Sequence, residues 1–243
     1  MPQTSALDWL VARPIAHRGL HDAAQGIVEN TASAFAAAIA GGFAIECDAQ
    51  ITADEEVVVF HDETLERLTH SYGCVNARSA AEMQRLTIRN SKDRVQTLAE
   101  LLAQVEGKVP LLIELKSHLD GNYALARRSL AALRDYRGPH CLMCFDPDIV
   151  EALRRQSPHT VRGLVANRDS GQSFAHLEGT QPHFISFQFR DLPFAPVTEF
   201  RQTGHPVISW TIRSADDALF ARRYSDQITF EGFLPDAPLH HQR

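Results

Sequence analysis

One short stretch of the sequence, residues 44–51, constrains the fold more than any other. It reads Ala-Ile-Glu-Cys-Asp-Ala-Gln-Ile, and an extended backbone places Ile45 and Cys47 on one face, with Glu46 and Asp48 on the other. Buried, unpaired carboxylates are costly, so Glu46 and Asp48 must face water, cations or a metal ion. The stretch is therefore predicted to be a strand with one apolar face and one acidic face.

A second apolar stretch, residues 57–60, returns the chain beside the first. The linker between them, residues 52–56, is too short for a helical crossover, so the two strands are predicted to pair antiparallel as a hairpin. This pairing brings His61 back to the level of Asp48. Two acids and a histidine are therefore expected to share one small region.

The rest of the chain alternates apolar stretches with helical patterns, the weakest of which lies near residues 173–177. Parallel strands are expected to end near His17, Asp48, Lys116, Phe145, Val165, Phe187, Ile212 and Phe230. Eight such βα units in 243 residues match a TIM (β/α)8 barrel. The alternative is an open doubly wound sheet, but no glycine-rich phosphate loop follows any strand. We predict an α/β protein with one TIM-barrel domain over residues 1–243 and a short loop-rich insertion at residues 63–93.

Composition narrows the classes of function. The chain carries 24 Lys and Arg against 30 Asp and Glu, a net charge of −6, which argues against a general binder of nucleic acid or anionic membranes. A small phosphorylated ligand stays compatible, because local charge can oppose net charge. No stretch approaches the roughly 18 continuous apolar residues of a membrane span, and residues 1–14 lack the pattern of a secretory signal. A cytoplasmic protein is expected.

Two of the four cysteines, Cys141 and Cys144, have the spacing of a zinc pair. They lie in a predicted strand, however, where positions three apart point to opposite faces. Buried free thiols in a reducing compartment are the preferred interpretation.

The predicted strand ends collect charged and aromatic residues at one rim of the barrel, where TIM-barrel chemistry takes place. Glu46, Asp48 and Glu114 would repel one another unless a cation joined them, and an all-oxygen set suits Mg²⁺ or Ca²⁺ better than zinc. Glu114 and Lys116 share one strand face, so an ordinary structural ion pair is the simpler alternative for them.

The same rim holds groups suited to a phosphate ester. Arg18 and Lys116 bring fixed positive charge, and His17 and His61 can serve as an acid and base pair near neutral pH. Trp210 could supply an apolar wall or could simply belong to the core. A metal, cations and two histidines around one cavity are suited to displacement at phosphorus.

The chain resembles the glycerophosphodiester phosphodiesterase family. The matching residues appear in the family's order: His17-Arg18-Gly19, Glu29-Asn30-Thr31, Glu46-x-Asp48, His61-Asp62 with Leu65-x-Arg67, Glu114-Leu115-Lys116, Phe145-Asp146, Trp210-Thr211 and Ile228-Thr229. The chain departs from the family pattern at Cys144, where serine is usual, and at Glu231-Gly232, which replace the usual acid near the last strand.

This resemblance implies a TIM barrel that hydrolyses glycerophosphodiesters to an alcohol and glycerol 3-phosphate. It implies that the three carboxylates bind a divalent metal, Mg²⁺ or Ca²⁺ with Mn²⁺ as a further candidate. It also implies that His17 and His61 are the general acid and base, in an order that stays open. Arg18 and Lys116 look like the phosphate-contacting cations.

Two other functions compete with this one. A barrel that binds a phosphorylated metabolite without turnover would not need both histidines and all three carboxylates. A phosphodiesterase acting on lysophospholipids or a phosphoinositol head group would need a wider or more apolar mouth. We expect a small-molecule phosphodiester as partner, with neither nucleic acid nor a membrane span. The leaving alcohol and the oligomeric state stay open.

Overall fold

Alternating strands and helices form the barrel that the sequence predicts. A computed structural model describes residues 7–169 and 174–235 and places the strands in one sheet. The strands are β1 (Ile15–Ala16), β2 (Ala44–Ile51), β3 (Val57–Val59), β4 (Leu111–Leu115), β5 (His140–Cys144), β6 (Arg162–Ala166), β7 (Phe184–Gln188), β8 (Val207–Ile212) and β9 (Gln227–Phe230).

The sheet closes on itself. Strands β1, β2 and β4 to β9 run parallel, and β1 pairs with both β2 and β9 to complete a barrel of eight strands. Strand β3 pairs antiparallel with β2 outside this ring. The TIM-barrel prediction is confirmed, and closure excludes the open doubly wound alternative.

Helices follow the strands around the outside of the barrel. They are α1 (Asp8–Val11), α2 (Ala32–Ala40), α3 (Ala80–Met83), α4 (Leu98–Val105), α5 (Ala124–Leu133), α6 (Pro147–Gln156), α7 (Leu177–Thr180), α8 (Ala195–Gln202) and α9 (Ala215–Ala221). The weak helix predicted near residues 173–177 begins at Ser173, which lies outside the described residues. None of the helices in the described residues is long and apolar enough to cross a membrane.

Local sequence fixes where several helices begin. Thr97 and Glu100 form a capping box at the start of α4, since each side chain bonds the other's backbone N–H. Asp146 caps α6, whose first residue is Pro147. Thr31 caps α2. Caps of this kind each contribute about 0.5–2 kcal/mol to stability.

The strands divide their side chains between two apolar layers. Ile45, Cys47 and Cys144 belong to the large cluster that packs with the helices, whereas Leu112 and Cys141 belong to the smaller cluster on the other strand face. Cys141 and Cys144 therefore lie on opposite faces, as predicted, and both are free buried thiols. Residues 63–93 contain α3 and the 3₁₀ turn Val75–Ala77, and contribute to a small apolar cluster that also includes Val58 and Phe60.

Close packing at Gly163 on β6 gives a test of the barrel. A Cβ atom added there would lie 2.2 Å from the ring of Phe184, which is fully buried. Gly163→Ala is expected to lower the free energy of unfolding by about 1–3 kcal/mol through overpacking. Gly179→Ala on α7 is the control, because its Cβ would meet its nearest atom at 3.6 Å. Equal urea-unfolding curves for the two variants would contradict the packing described here.

Candidate active site

A cavity of about 270 Å³ opens at the C-terminal ends of the strands. This volume is near the lower end of small-molecule sites, about 300–1,000 Å³. All the predicted site residues except Asp48 line it: His17, Arg18, Glu46, His61, Glu114, Lys116 and Trp210. Asp48 is 1% exposed and contacts the same group of side chains.

Three buried carboxylates lie together at the base of this site. One oxygen each from Glu46, Asp48 and Glu114 lies within 4.8 Å of the others. Alternation along β2 turns Glu46 and Asp48 to the same face, and the register of β2 and β4 sets Asp48 beside Glu114. Burial, and then the nearby charges of Asp48 and Glu114, raise the pKa of Glu46 well above its usual value.

Two cations partly balance the carboxylates. Lys116 Nζ lies 2.9 Å from Asp48 Oδ1 and 2.5 Å from Glu114 Oε1. Arg18 Nε lies 3.3 Å from Asp48 Oδ2, and its backbone N–H donates to Glu46 Oε2 at 2.9 Å. Burial alone would raise the pKa of Asp48, but Lys116 and Arg18 hold it well below its usual value.

Asn30 also supports Asp48, a role that the sequence did not suggest. Asn30 and Thr31 are both possible caps for α2, and Thr31 is the one whose side chain accepts from the helix. Asn30 instead donates from Nδ2 to Asp48 Oδ2 at 2.8 Å and accepts the Asp48 backbone N–H at 3.2 Å. Its positive φ of 56° is a conformation that asparagine adopts more readily than most residues.

The acidic cluster fits a divalent cation. Glu46 Oε1 is buried without a hydrogen-bond partner, and buried polar atoms normally have one. The donor set consists of oxygen atoms, which Mg²⁺ and Ca²⁺ prefer. Glu46, Asp48 and Glu114 therefore form a suitable ligand set, and no other metal-type cluster occurs within residues 7–169 and 174–235.

His17 bonds a carboxylate from the far end of the chain. Its Nδ1 contacts Glu231 Oε2, and its Nε2 lies 3.9 Å from Glu46 Oε2. Glu231 also pairs with Arg213 at 2.6 Å, while His21 Nε2 lies 3.6 Å away. Burial lowers the pKa of His17, although the Glu231 hydrogen bond opposes that shift.

His61 is oriented by a separate carboxylate. Its Nδ1 lies 2.7 Å from Asp62 Oδ1, and Asp62 in turn accepts from Arg67 Nε at 2.5 Å. The hydrogen bond from Arg67 is the main cause that lowers the pKa of Asp62 to about 2. Glu29 bridges Arg67 and Arg18, at 2.8 and 2.6 Å. A chain of alternating charges thus joins Arg18 to His61.

Aromatic rings form part of the cavity wall. Trp210 lies edge to face with Phe145, with ring centroids 5.6 Å apart at 82°. Phe145 is 36% exposed, and both rings line the cavity. Trp210 therefore lines the cavity wall and also packs against the smaller apolar cluster of the barrel strands.

Sequence reasoning missed several of these partners. It noted Glu231 only as a departure from a family pattern and gave Asp62 and Arg67 no role, although Asp62 directly follows His61. The adjacency of Asp62 was a usable signal. The pairing of His17 with Glu231 joins residues 214 positions apart, and no local pattern reveals it.

The closed barrel and the acidic cluster at its rim define a TIM-barrel protein whose rim carries three carboxylates that could hold a metal ion. Comparison with known proteins makes the class specific. The sequence model of the glycerophosphoryl diester phosphodiesterase family matches residues 17–230 of this chain. The chain therefore belongs to this family of phosphodiesterases.

Individual relatives agree with this assignment. The chain is 29% identical over 216 residues to a glycerophosphodiester phosphodiesterase of Caldanaerobacter subterraneus, covering 84% of this chain and 86% of that protein. It is 37% identical over 111 residues to the Bacillus subtilis protein YhdW, and this match covers less than half of either protein, 43% of this chain and 44% of YhdW.

Solved structures share the fold. An Oleispira antarctica phosphodiesterase in complex with sn-glycerol-3-phosphate superposes with a TM-score of 0.79 at 22% identity, covering 89% of this chain and 91% of that one. A Thermotoga maritima glycerophosphodiester phosphodiesterase gives 0.73 at 21% identity, covering 89% and 92%. At these identities the likeness establishes the fold alone.

The contact between His17 and Glu231 predicts a kinetic effect. Glu231→Ala should lower kcat for a chromogenic phosphodiester about 10- to 100-fold with little change in KM, because the His17 ring loses the acceptor that orients it. This loss is smaller than the loss of about 10²–10⁴-fold that complete removal of a general acid or base causes, since the ring itself stays in place. Glu231→Gln retains an acceptor oxygen and should recover part of this loss. Glu199→Ala, at an exposed position on α8, is the control. An unchanged kcat in Glu231→Ala would remove the orienting role.

Proposed function

We propose that the chain hydrolyses glycerophosphodiesters to an alcohol and glycerol 3-phosphate with the help of a divalent cation. The observation that carries this proposal is that a cluster of three buried carboxylates, two of which line one small cavity, lies beside two separately oriented histidines that line the same cavity. Family membership supports the reaction class. The name of the Caldanaerobacter relative, which aligns over most of both chains, supports the substrate class.

The carboxylates of Glu46, Asp48 and Glu114 would hold the cation. When bound, a divalent ion there supplies positive charge that stabilises the negative charge developing on the phosphoryl oxygens. Mg²⁺ and Ca²⁺ fit an all-oxygen set best, and Mn²⁺ is a further candidate.

Arg18 and Lys116 would bind the phosphate from the protein side. Both line the cavity, and both are anchored by carboxylates rather than free to swing. This anchoring fixes their positive charge before substrate arrives, which is how preorganised groups favour a transition state over a ground state. Trp210 would supply the apolar wall beside the substrate.

The two histidines would transfer the protons. Each ring bonds a carboxylate through Nδ1, an arrangement that assigns the proton to Nδ1 and leaves Nε2 for exchange with substrate. One histidine would take a proton from the attacking oxygen, and the other would protonate the departing alkoxide.

Neither competing function fits the site as well. A cavity of about 270 Å³ suits a small diester better than a lysophospholipid with its acyl chain. A binding barrel without turnover has no use for two histidines that are each held by a carboxylate. The buried free thiols Cys47, Cys141 and Cys144 suit the reducing cytoplasm that we propose as the location.

A coupled assay tests the function directly. Glycerol 3-phosphate release would be followed from glycerophosphodiesters with choline, ethanolamine, serine, glycerol and inositol alcohols, after chelation and after addition of Mg²⁺, Ca²⁺ or Mn²⁺. We expect release only when a divalent cation is present. No release from any diester with any of the three ions, or full activity in the chelated protein, would overturn the proposal.

Replacing either histidine tests the proton-transfer roles. His17→Ala and His61→Ala should each lower kcat about 10²–10⁴-fold, the scale of general acid–base catalysis. His159→Ala provides the control, because His159 is exposed before β6 at the opposite end of the barrel. Near wild-type turnover in either rim variant would show that this histidine has been assigned wrongly.

A further inference from the structure

Two arginines at the rim take no part in the chemistry proposed above. Arg190 lies in the 3₁₀ turn Phe189–Asp191 that directly follows β7, and Arg213 follows β8. Since β7 and β8 are neighbours in the barrel, the two arginines stand on adjacent loops. Both line the cavity.

The lysine and arginine side chains of the cavity differ in what neutralises them. Arg18, Lys116 and Arg213 each form ion pairs with carboxylates. Within the described residues, Arg190 forms no such pair; its guanidinium carbon lies 5.6 Å from the centroid of the Phe189 ring. Arg190 is exposed to solvent, and of the lysine and arginine residues that line the cavity it is the one without a carboxylate partner in the described part of the chain. Its guanidinium is therefore free to contact a ligand.

Asp191, the acid next to Arg190 in the sequence, forms no ion pair with it either. Asp191 accepts the backbone N–H of Arg168 at 2.9 Å, and its carbonyl accepts from the Arg168 guanidinium at 3.0 Å. The carboxylates that line the described cavity are Glu46 and Glu114, and both belong to the proposed metal set. Away from that set, the lining residues present no negative charge to a cationic head group.

We propose that Arg190 selects diesters whose alcohol carries an anionic group, a carboxylate or phosphate, over diesters with a quaternary ammonium. This inference rests on the proposed function and names its substrate class. A planar guanidinium recognises carboxylate and phosphate through paired hydrogen bonds. The glycerol and the central phosphate are common to all these diesters, so a preference for charge must come from the alcohol.

The aromatic wall could instead favour a diester whose alcohol carries a cation. Phe145 and Trp210 could bind a quaternary ammonium on their ring faces, but that cation would share a small cavity with the uncompensated charge of Arg190. The unpaired guanidinium therefore favours an anionic alcohol. A preference for the choline diester would show that the aromatic wall decides the selectivity instead.

Glycerophosphoserine and glycerophosphoethanolamine form a matched pair of probes, because they differ by one carboxylate. With saturating Mg²⁺ and low salt, wild-type kcat/KM should be about tenfold higher for the serine diester, the scale of one charge-assisted contact. Arg190→Gln should bring this ratio close to one. Arg190→Lys, which keeps the charge but loses the planar fork, should give an intermediate ratio. Arg137→Gln, at an exposed position between α5 and β5, removes one positive charge at the other end of the barrel and should keep the wild-type ratio.

Three results would overturn the inference while leaving the proposed hydrolysis in place. They are a wild-type ratio at or below one, a faster reaction with glycerophosphocholine than with the serine diester, and an equal loss on both probes in Arg190→Gln. Absence of turnover with every diester would instead overturn the proposed function, and the inference with it.

Discussion

Mutual repulsion among three buried carboxylates is the constraint around which the rest of this site is arranged. Glu46, Asp48 and Glu114 lie within 4.8 Å of one another, and burial raises the pKa of Glu46 and of Glu114. Lys116 and Arg18 hold Asp48 ionised, but they leave one oxygen of Glu46 without a partner. The repulsion in such a cluster is relieved either by protonation of one acid, as the raised pKa of Glu46 indicates, or by a further cation that completes the set.

The barrel imposes this arrangement through regular geometry. Side chains alternate along a strand, so the same alternation that sends Ile45 and Cys47 to the helices turns Glu46 and Asp48 the other way. Parallel register then sets Asp48 beside Glu114. The acids therefore stand on strands rather than on loops, and rigid elements hold functional groups more precisely than loops do.

The sequence predicts best what depends on neighbours along the chain. The β2–β3 hairpin, the return of His61 and the shared face of Glu114 and Lys116 follow from strand periodicity and a short linker. The contact between His17 and Glu231 depends on barrel closure, where β1 meets β9, and strand periodicity carries no information on it. The support that Asn30 gives Asp48 joins residues 18 positions apart on different elements, and no local pattern indicates it. The apolar cluster that residues 63–93 form together with Val58, Phe60 and Val95 was not predicted, because its members in residues 63–93 are scattered among polar residues.

Melting curves of wild type and Glu114→Gln, each with chelator and with excess Mg²⁺, test the central claim that the cluster is a metal site. Gln keeps the shape but removes one charge, and Lys116 keeps its pair with Asp48. Without metal, the variant should be at least as stable as wild type. Metal should stabilise wild type by about 2.7 kcal/mol at a hundredfold excess over Kd, and the variant much less. A metal-free variant clearly less stable than wild type, with no metal-dependent shift in either protein, would contradict the account and leave Glu114 and Lys116 as a structural ion pair.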